Sequence, residues 1–178
     1  MREASDGSDF IAQVESETGL KIHVIDGEEE ARLAAQGVLL GWPGSYGLVC
    51  DIGGGSMELA EIANGQVGHR VTSPLGPLKL INVPGGKKGR KAVIAETLDH
   101  LRDQMGPQSD RLFLVGGSWR ALARIDMHRR GYPLHVMHEY QMTARDVKAT
   151  LRYIADCDLE TLRQTIRVTP SRMALVPI

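Results

Sequence analysis

Several features that are scarce in this 178-residue sequence limit what the protein can be. Aromatic residues make up 4% of it, so the core must consist of Leu, Ile, Val, Ala and Met. The formal net charge is −1, and the sequence therefore lacks the basic excess of a general nucleic-acid or membrane-surface binder. No apolar run approaches the ~20 residues of a membrane helix. The composition is that of a soluble globular protein of one domain or slightly more.

Cysteine is also scarce. The two cysteines, Cys50 and Cys157, occur without a recognisable signal peptide, so two reduced thiols in a cytoplasmic protein are favoured over a disulfide. The six histidines show no spacing that is typical of zinc ligands, and zinc is not expected.

The sequence does contain strand and helix signals in alternation, which indicates an α/β fold. Apolar spacing and capping signals predict helices over 7–18, 27–41, 91–105 and 144–156, and a helix that follows a strand within 110–125. Strands are predicted over 20–26, 46–52, 57–63 and 66–73, with loops over 42–47 and 85–91, an extended stretch over 73–83 and a less regular segment over 158–178. Residues 57–63 have helix-forming composition, but Asn64 and Gly65 after them are a strong hairpin signal.

The stretch DIGGGSMEL, residues 51–59, places glycines between two acids. Glycines let backbone N–H groups approach an oxyanion, and Ser56 adds a hydroxyl donor. Asp51 and Glu58 could hold Mg²⁺, directly or through water. The alternative is a hairpin with a flexible tip, in which Asp51 caps the turn and Glu58 faces solvent. The residues alone do not decide between these interpretations.

A second glycine turn occurs in VGGSWRALA, residues 115–123. It could hold a phosphate at a helix N-terminus. The alternative is an ordinary strand-to-helix connection with Ser118 as the N-cap. Two strand–glycine–serine arrangements in one small α/β domain suggest a site between strand ends.

Two charged clusters allow both a structural and a functional interpretation. Glu28, Glu29 and Glu30 open a helix, where acids complement the helix dipole. Alternatively, one of them polarises a water for attack on phosphorus; successive helical residues point about 100° apart, so at most one would face a given cleft. Four cations within 87–91 are most simply a solvated loop, or else help to hold a polyanion.

Five motifs occur in a recognisable order: REASDG (2–7), GEEEARL (27–33), DIGGGSMEL (51–59), SPLGPLKL (73–80) and VGGSWRALA (115–123). In this the chain resembles the exopolyphosphatase / guanosine pentaphosphate phosphohydrolase (Ppx/GppA) phosphatase family. The resemblance implies an actin-like ATPase (ribonuclease H-like) fold, with a mixed sheet and flanking helices. In that fold two related domains clamp phosphates between them.

The resemblance also implies roles for individual residues. Glu30 lies where the family has its catalytic glutamate, with Glu29 as the alternative. Asp51 and Glu58 lie at the family's second phosphate and metal motif, and Mg²⁺ or another divalent cation is implied as cofactor. The implied phosphate-binding residues are Gly53, Gly54, Gly55, Ser56, Gly116, Gly117, Ser118 and Arg2.

The implied activity is release of terminal orthophosphate from inorganic polyphosphate by metal-assisted attack of water in the cytoplasm. Alternatives are hydrolysis of guanosine pentaphosphate in the stringent response, a kinase-like phosphotransferase, and a non-catalytic module that binds polyphosphate or nucleotide. No nucleic-acid or membrane partner is implied, and a homodimer stays open.

The chain also departs from the family pattern, because the family's N-terminal D-x-G-S-N-S phosphate loop is not found in it. Residues 1–41 are therefore predicted to be the C-terminal remnant of the first domain. Residues 42–178 are predicted to be the second domain, truncated at its C-terminus. As half of the phosphate clamp would be missing, the fragment is expected to have weak activity or none.

Overall fold

A computed structural model describes residues 4–158, 160 and 162 of the chain. Its elements, in chain order, are α1 (Gly7–Thr18), α2 (Gly27–Gly41), β1 (Gly47–Ile52), β2 (Met57–Ala63), β3 (Gln66–Ser73), α3 (Pro77–Leu80), α4 (Gly86–Met105), β4 (Leu112–Val115), α5 (Gly117–Arg129) and α6 (Ala144–Asp156). In this part of the chain, no helix is both long enough and apolar enough to cross a membrane.

The four strands form one mixed sheet in the order β3-β2-β1-β4. β1 and β2, like β2 and β3, pair antiparallel, whereas β1 and β4 pair parallel. Asn64 and Gly65 both have positive φ, 54° and 73°, as a type I′ hairpin turn requires. The hairpin prediction is confirmed, and it prevails over the helical composition of 57–63 because β2 is buried on both faces, where alternation is not needed.

Helices cover both faces of this sheet. α2 packs on one face through Ala31 and Ala35, whose small side chains let the helix approach the strands closely. The apolar residues beneath it include Val49, Ala60 and Ile62. On the other face, α4 contributes Leu101 and Met105 to a cluster with Cys50, Met57, Leu59 and Val71. The α/β prediction is confirmed by this three-layer arrangement.

Residues 20–26 do not form the predicted strand. A strand needs a neighbour for its backbone hydrogen bonds, and none of the residues that the structure describes pairs with this segment. The backbone N–H of Ile22 instead donates to the Glu15 carboxylate of α1 at 2.7 Å. Leu20 is 65% exposed and Val24 49% exposed, so these alternating apolar residues do not pack into the core.

Two segments predicted as non-helical contain helices. Within 73–83, α3 begins at Pro77, where the missing N–H of proline costs nothing. The basic residues 87–91, predicted as a loop, form the first turns of α4. Gly85 and Gly86 have positive φ and redirect the chain, and Lys and Arg then favour the helix.

α5 and α6 are joined through one buried carboxylate. Asp126 of α5 is fully buried and accepts hydrogen bonds from Arg129, from Tyr140 and from Thr150 of α6, at 2.7, 2.6 and 2.6 Å. The predicted capping box between Thr143 and Asp146 begins α6 and is confirmed.

The two cysteines do not pair with each other, as predicted. Most of the predicted irregular segment, 158–178, lies outside the described residues.

Candidate active site

The first glycine turn connects β1 to β2. The pairing of Asp51 with Glu58 across these strands directs both side chains to one face of the sheet, the face that α2 covers. The backbone N–H of Gly53 donates to the carbonyl of Ser56 at 3.1 Å and closes the turn. The two acids therefore stand side by side where the strands end.

The three glycines of this turn differ in what a side chain at each position would contact. None of them has a positive φ, so left-handed backbone is not what requires them. A methyl group at Gly54 would lie 2.8 Å from Cδ1 of Leu78, whereas at Gly53 and Gly55 the nearest atoms would be 3.8 and 3.9 Å away. Packing therefore requires glycine at Gly54. Gly53 and Gly55 leave the surface of the turn open to an approaching oxyanion.

The SPLG motif supports this turn from behind. A methyl group at Gly76 would lie 2.4 Å from the carbonyl carbon of Gly55 and 2.5 Å from the oxygen of Gly54. The backbone N–H of Leu78 donates to the same Gly54 oxygen at 2.9 Å. Gly76 thus lets the SPLG segment pack directly against the backbone of the glycine turn, a role that the sequence analysis did not predict. The signal for it was a glycine-containing motif that follows the turn in the chain.

The second glycine turn lies against the first. β4 runs parallel to β1 with Val115 opposite Asp51, so the following residue, Gly116, lies beside the acid. Gly116 has a φ of 109°, and a methyl group there would lie 2.7 Å from the oxygen of Ile52 and 2.8 Å from Oδ1 of Asp51. Both observations require glycine at this position.

α5 begins directly after this turn, with Gly116 as its N-cap. The alternative that Ser118 is the N-cap is therefore wrong; Ser118 is exposed within the first helical turn. The first N–H groups of a helix have no intrahelical acceptor, and they carry the positive end of the helix dipole. Gly117 and Ser118 thus belong to a helix N-terminus next to Asp51.

The third part of the site is the N-terminus of α2. Gly27 is buried against β3, where a methyl group would lie 2.5 Å from the Thr72 hydroxyl, so glycine lets the helix start in contact with the sheet. Asp26 caps the helix by accepting from the N–H of Glu29 at 2.8 Å. The Thr72 hydroxyl also donates to Glu58 at 3.2 Å, which connects this helix start with the acid on β2.

The three glutamates of α2 separate into different environments. Glu28 is exposed. Glu29 forms an ion pair with Arg32, and this hydrogen bonding holds its pKa below the usual value. Glu30 is half-buried, and its negative charge raises the pKa of both strand acids, Asp51 and Glu58. Of the three, Glu30 is the one that faces the strand acids.

Burial and mutual repulsion shape the electrostatics of this acid cluster, Glu30, Asp51 and Glu58. Burial raises the pKa of Asp51, and Glu30 raises it further while Arg120 lowers it. Burial likewise raises the pKa of Glu58, against hydrogen bonding from Ser56 that lowers it. Glu58 is only 1% exposed, so the alternative in which it faces solvent is wrong.

The donor set of the cluster suits a hard cation. Carboxylate oxygens are the ligands that Mg²⁺ takes, and a cation would relieve the repulsion among three nearby negative charges. Within the described part of the chain, no three acidic, histidine or cysteine side chains are placed so that they could hold a metal ion by themselves. Mg²⁺ commonly binds through one or two carboxylates together with substrate phosphates.

Two cations near the site were missed by sequence reasoning. Arg120 acts on Asp51 through its charge, and Lys79 approaches the glycine turn, its Cε 3.9 Å from where a methyl group on Gly55 would lie. Both lie within motifs named above, Lys79 in SPLGPLKL and Arg120 in VGGSWRALA. The glycines and serines of these motifs suggested a site, whereas their charged residues were the signal that was missed. Arg2 lies outside the described residues.

Comparison with known proteins agrees with the motifs. A family model described as the Ppx/GppA phosphatase family matches residues 1–177. The curated relatives include Exopolyphosphatase 1 of Mycobacterium leprae, 30% identical over 138 residues, and that of Mycobacterium tuberculosis, 32% identical over the same length. Each alignment covers 70% of this chain and 40% of the relative, so the chain spans less than half of these proteins.

Solved structures show the same fold. An exopolyphosphatase from Cytophaga hutchinsonii superposes with a TM-score of 0.81 at 20% identity, covering 98% of this chain and 60% of that protein. The Ppx/GppA enzyme of Aquifex aeolicus superposes with a TM-score of 0.75 at 22% identity, with the same coverage. The mixed four-stranded sheet with flanking helices is accordingly an actin-like ATPase fold, and the chain belongs to the Ppx/GppA phosphatase family.

Proposed function

We propose that the protein is an exopolyphosphatase-type hydrolase, which releases terminal orthophosphate from inorganic polyphosphate. The observation that carries the proposal is the convergence of Glu30, Asp51 and Glu58 beside two glycine turns. Open backbone surfaces suit phosphate oxygens, and a carboxylate near them can orient a water. The names of the curated relatives support polyphosphate as the substrate class.

In the proposed reaction, the oxygen of a water attacks the terminal phosphorus in line with the bridging oxygen. A new P–O bond forms as the bridging P–O bond breaks, and the shortened polyphosphate leaves with the bonding electrons. Glu30 orients the water and accepts its proton. Backbone N–H groups of Gly53–Ser56 and of the first turn of α5 donate to the non-bridging oxygens, where charge must be stabilised in the transition state.

Asp51 and Glu58 would hold Mg²⁺, which when bound neutralises charge on the phosphate oxygens. Thr72 keeps the Glu58 carboxylate in place by its hydrogen bond, and burial keeps bulk water away from that side chain. The division into a first-domain remnant, residues 1–41, and a second domain, residues 42–178, stays a prediction. The weak activity of the chain in isolation also stays a prediction.

The decisive test replaces Glu30→Gln, with Glu28→Gln as the matched control. Glu28 has the same chemistry two positions earlier in α2 but is exposed. We expect Glu30→Gln to lower kcat by about 10²–10⁴-fold while polyphosphate binding persists, because the amide cannot accept the proton of water. Glu28→Gln should retain the wild-type rate. Wild-type turnover in Glu30→Gln would overturn the assignment, and loss only in Glu29→Gln would transfer it to that residue.

The substrate is tested by phosphate release from polyphosphate and guanosine pentaphosphate, measured side by side with Mg²⁺. The chain covers 40% of its curated relatives, so the assay runs a full-length exopolyphosphatase beside it as a reference. Faster release from polyphosphate supports the proposal. Faster release from guanosine pentaphosphate, binding without release, or transfer of phosphate to an acceptor would replace it with the corresponding alternative.

A further inference from the structure

Arg120 lies in the first turns of α5, close to the acid cluster but not part of it. The preceding residue, Trp119, packs against the apolar cluster between the sheet and α4. The following residue, Ala121, is buried in the cluster that faces α6. These two contacts determine how α5 is rotated about its axis, and they leave Arg120 exposed on the helix surface.

Arg120 lies one helical turn after Gly116, to whose carbonyl its backbone N–H donates at 3.3 Å, and it forms no ion pair with Asp51. Its positive charge acts on the Asp51 carboxylate, which also lies against Gly116 at the start of the same helix. Yet among the described residues no carboxylate oxygen lies within 4.0 Å of Arg120, whereas Arg32 and Arg129 contact their acids at 2.5 and 2.7 Å. Its donors therefore remain free for another oxyanion.

We propose that Arg120 binds two non-bridging oxygens of the substrate phosphate that the two glycine turns receive. The inference rests on the proposed function, because it assigns a partner to a phosphate in that same site. Arg120 is thereby a substrate-binding residue rather than a surface charge that merely balances Asp51.

The charge of the site explains why such a residue is needed. Three carboxylates near the glycine turns repel a polyanion, and the backbone N–H groups carry only partial charges. A guanidinium supplies a full positive charge, and its fixed fork of donors matches two phosphate oxygens at once. An ammonium group offers the charge without the fork, so Arg120→Lys should restore binding only in part.

The test measures binding of inorganic tripolyphosphate with Mg²⁺ by calorimetry, and phosphate release in parallel. Arg120→Ala is compared with Arg124→Ala, its control, because Arg124 is also exposed and lies one helical turn farther from the glycine turn. We expect Arg120→Ala to weaken binding about ten- to hundredfold, the usual effect of losing a hydrogen bond to a charged group. Arg124→Ala should change binding less than about twofold, and the thermal midpoints of both variants should match the wild type.

The outcomes separate this inference from the proposed function. Selective weakening in Arg120→Ala supports the inference, even if the wild type binds tripolyphosphate without releasing phosphate, a result that would overturn the hydrolase proposal alone. Equal binding by the two alanine variants, with turnover intact in the wild type, overturns the inference alone. Absence of tripolyphosphate binding by the wild type overturns both, and full rescue by Arg120→Lys overturns the bidentate contact.

Discussion

Among the described residues, two carboxylates are almost completely removed from solvent, Glu58 on β2 and Asp126 on α5, and their surroundings differ. Asp126 accepts hydrogen bonds from Arg129, Tyr140 and Thr150, which together hold its pKa below the usual value although burial alone would raise it. Burial raises the pKa of Glu58, and the charges of Glu30 and Asp51 raise it further, against hydrogen bonds from Ser56 and Thr72 that lower it.

Asp126 is thus a structural carboxylate, whereas Glu58 is one that we propose to be functional. Asp126 has donors on every side and joins two helices, so its ionised form stabilises the fold. Glu58 is held beside like charges, an arrangement that destabilises the fold unless a cation or proton compensates it. This repulsion occurs next to the glycine turns. That placement is what supports a phosphate and metal site there.

The largest effect is expected for Asp126→Asn. An amide removes the counter-charge of Arg129, whose side chain is 22% exposed, and weakens the hydrogen bonds that Tyr140 and Thr150 donate, so the free energy of unfolding should fall by about 2–4 kcal/mol. Because the pKa of Asp126 is lowered in the fold, its stabilisation is present at neutral pH and is lost as pH falls through the folded-state value. Urea unfolding of Asp126→Asn and of Asp156→Asn, whose acid is exposed, measures the difference. A loss below about 1 kcal/mol would show that the Asp126 carboxylate does not stabilise the fold more than an exposed acid does.

An intermediate effect is expected at the glycine beside the acid cluster. Gly116→Ala forces a side chain into a backbone conformation that L residues rarely adopt and against Oδ1 of Asp51, so about 1–3 kcal/mol of stability should be lost. Gly55→Ala places its methyl 3.9 Å from Cε of Lys79, an ordinary van der Waals contact, so stability should stay within about 0.5 kcal/mol while polyphosphate binding weakens. Chemical denaturation and calorimetry report the two quantities. Unchanged binding in Gly55→Ala would mean that the open turn surface does not receive phosphate.

The smallest effect is expected for Glu58→Gln, and its sign is opposite to that of Asp126→Asn. Removing one of three crowded charges should raise the free energy of unfolding at pH 7–8 by about 0.5–2 kcal/mol while phosphate release is lost. The pKa of Glu58 is raised in the fold, so the destabilisation by its charge fades as pH falls, and the gain over wild type should shrink in the same direction. Unfolding curves at several pH values test this, with Glu96→Gln as an exposed control. A loss of stability at neutral pH would show Glu58 to be a structural carboxylate after all.

Much of the fold could be predicted from local patterns. The capping box at Thr143, the Asn64–Gly65 turn and the helical spacing of 27–41 are each determined by residues close in sequence, and each is confirmed. The prediction over 20–26 was wrong because a strand depends on a partner that alternation cannot reveal. The loop prediction over 85–91 was wrong because the Lys and Arg residues of this segment favour a helix, and α4 begins at Gly86.

Motifs and neighbours along the chain were sufficient to predict most of the elements, the family and the candidate residues. The tertiary structure was needed to show which acid of Glu28, Glu29 and Glu30 meets Asp51 and Glu58, since that depends on how α2 is rotated against the sheet. It also decided that Gly76 and Gly116 buttress the first turn and that Arg120 is near Asp51 without an ion pair. Distances between residues far apart in the chain are set by packing, which no local pattern records.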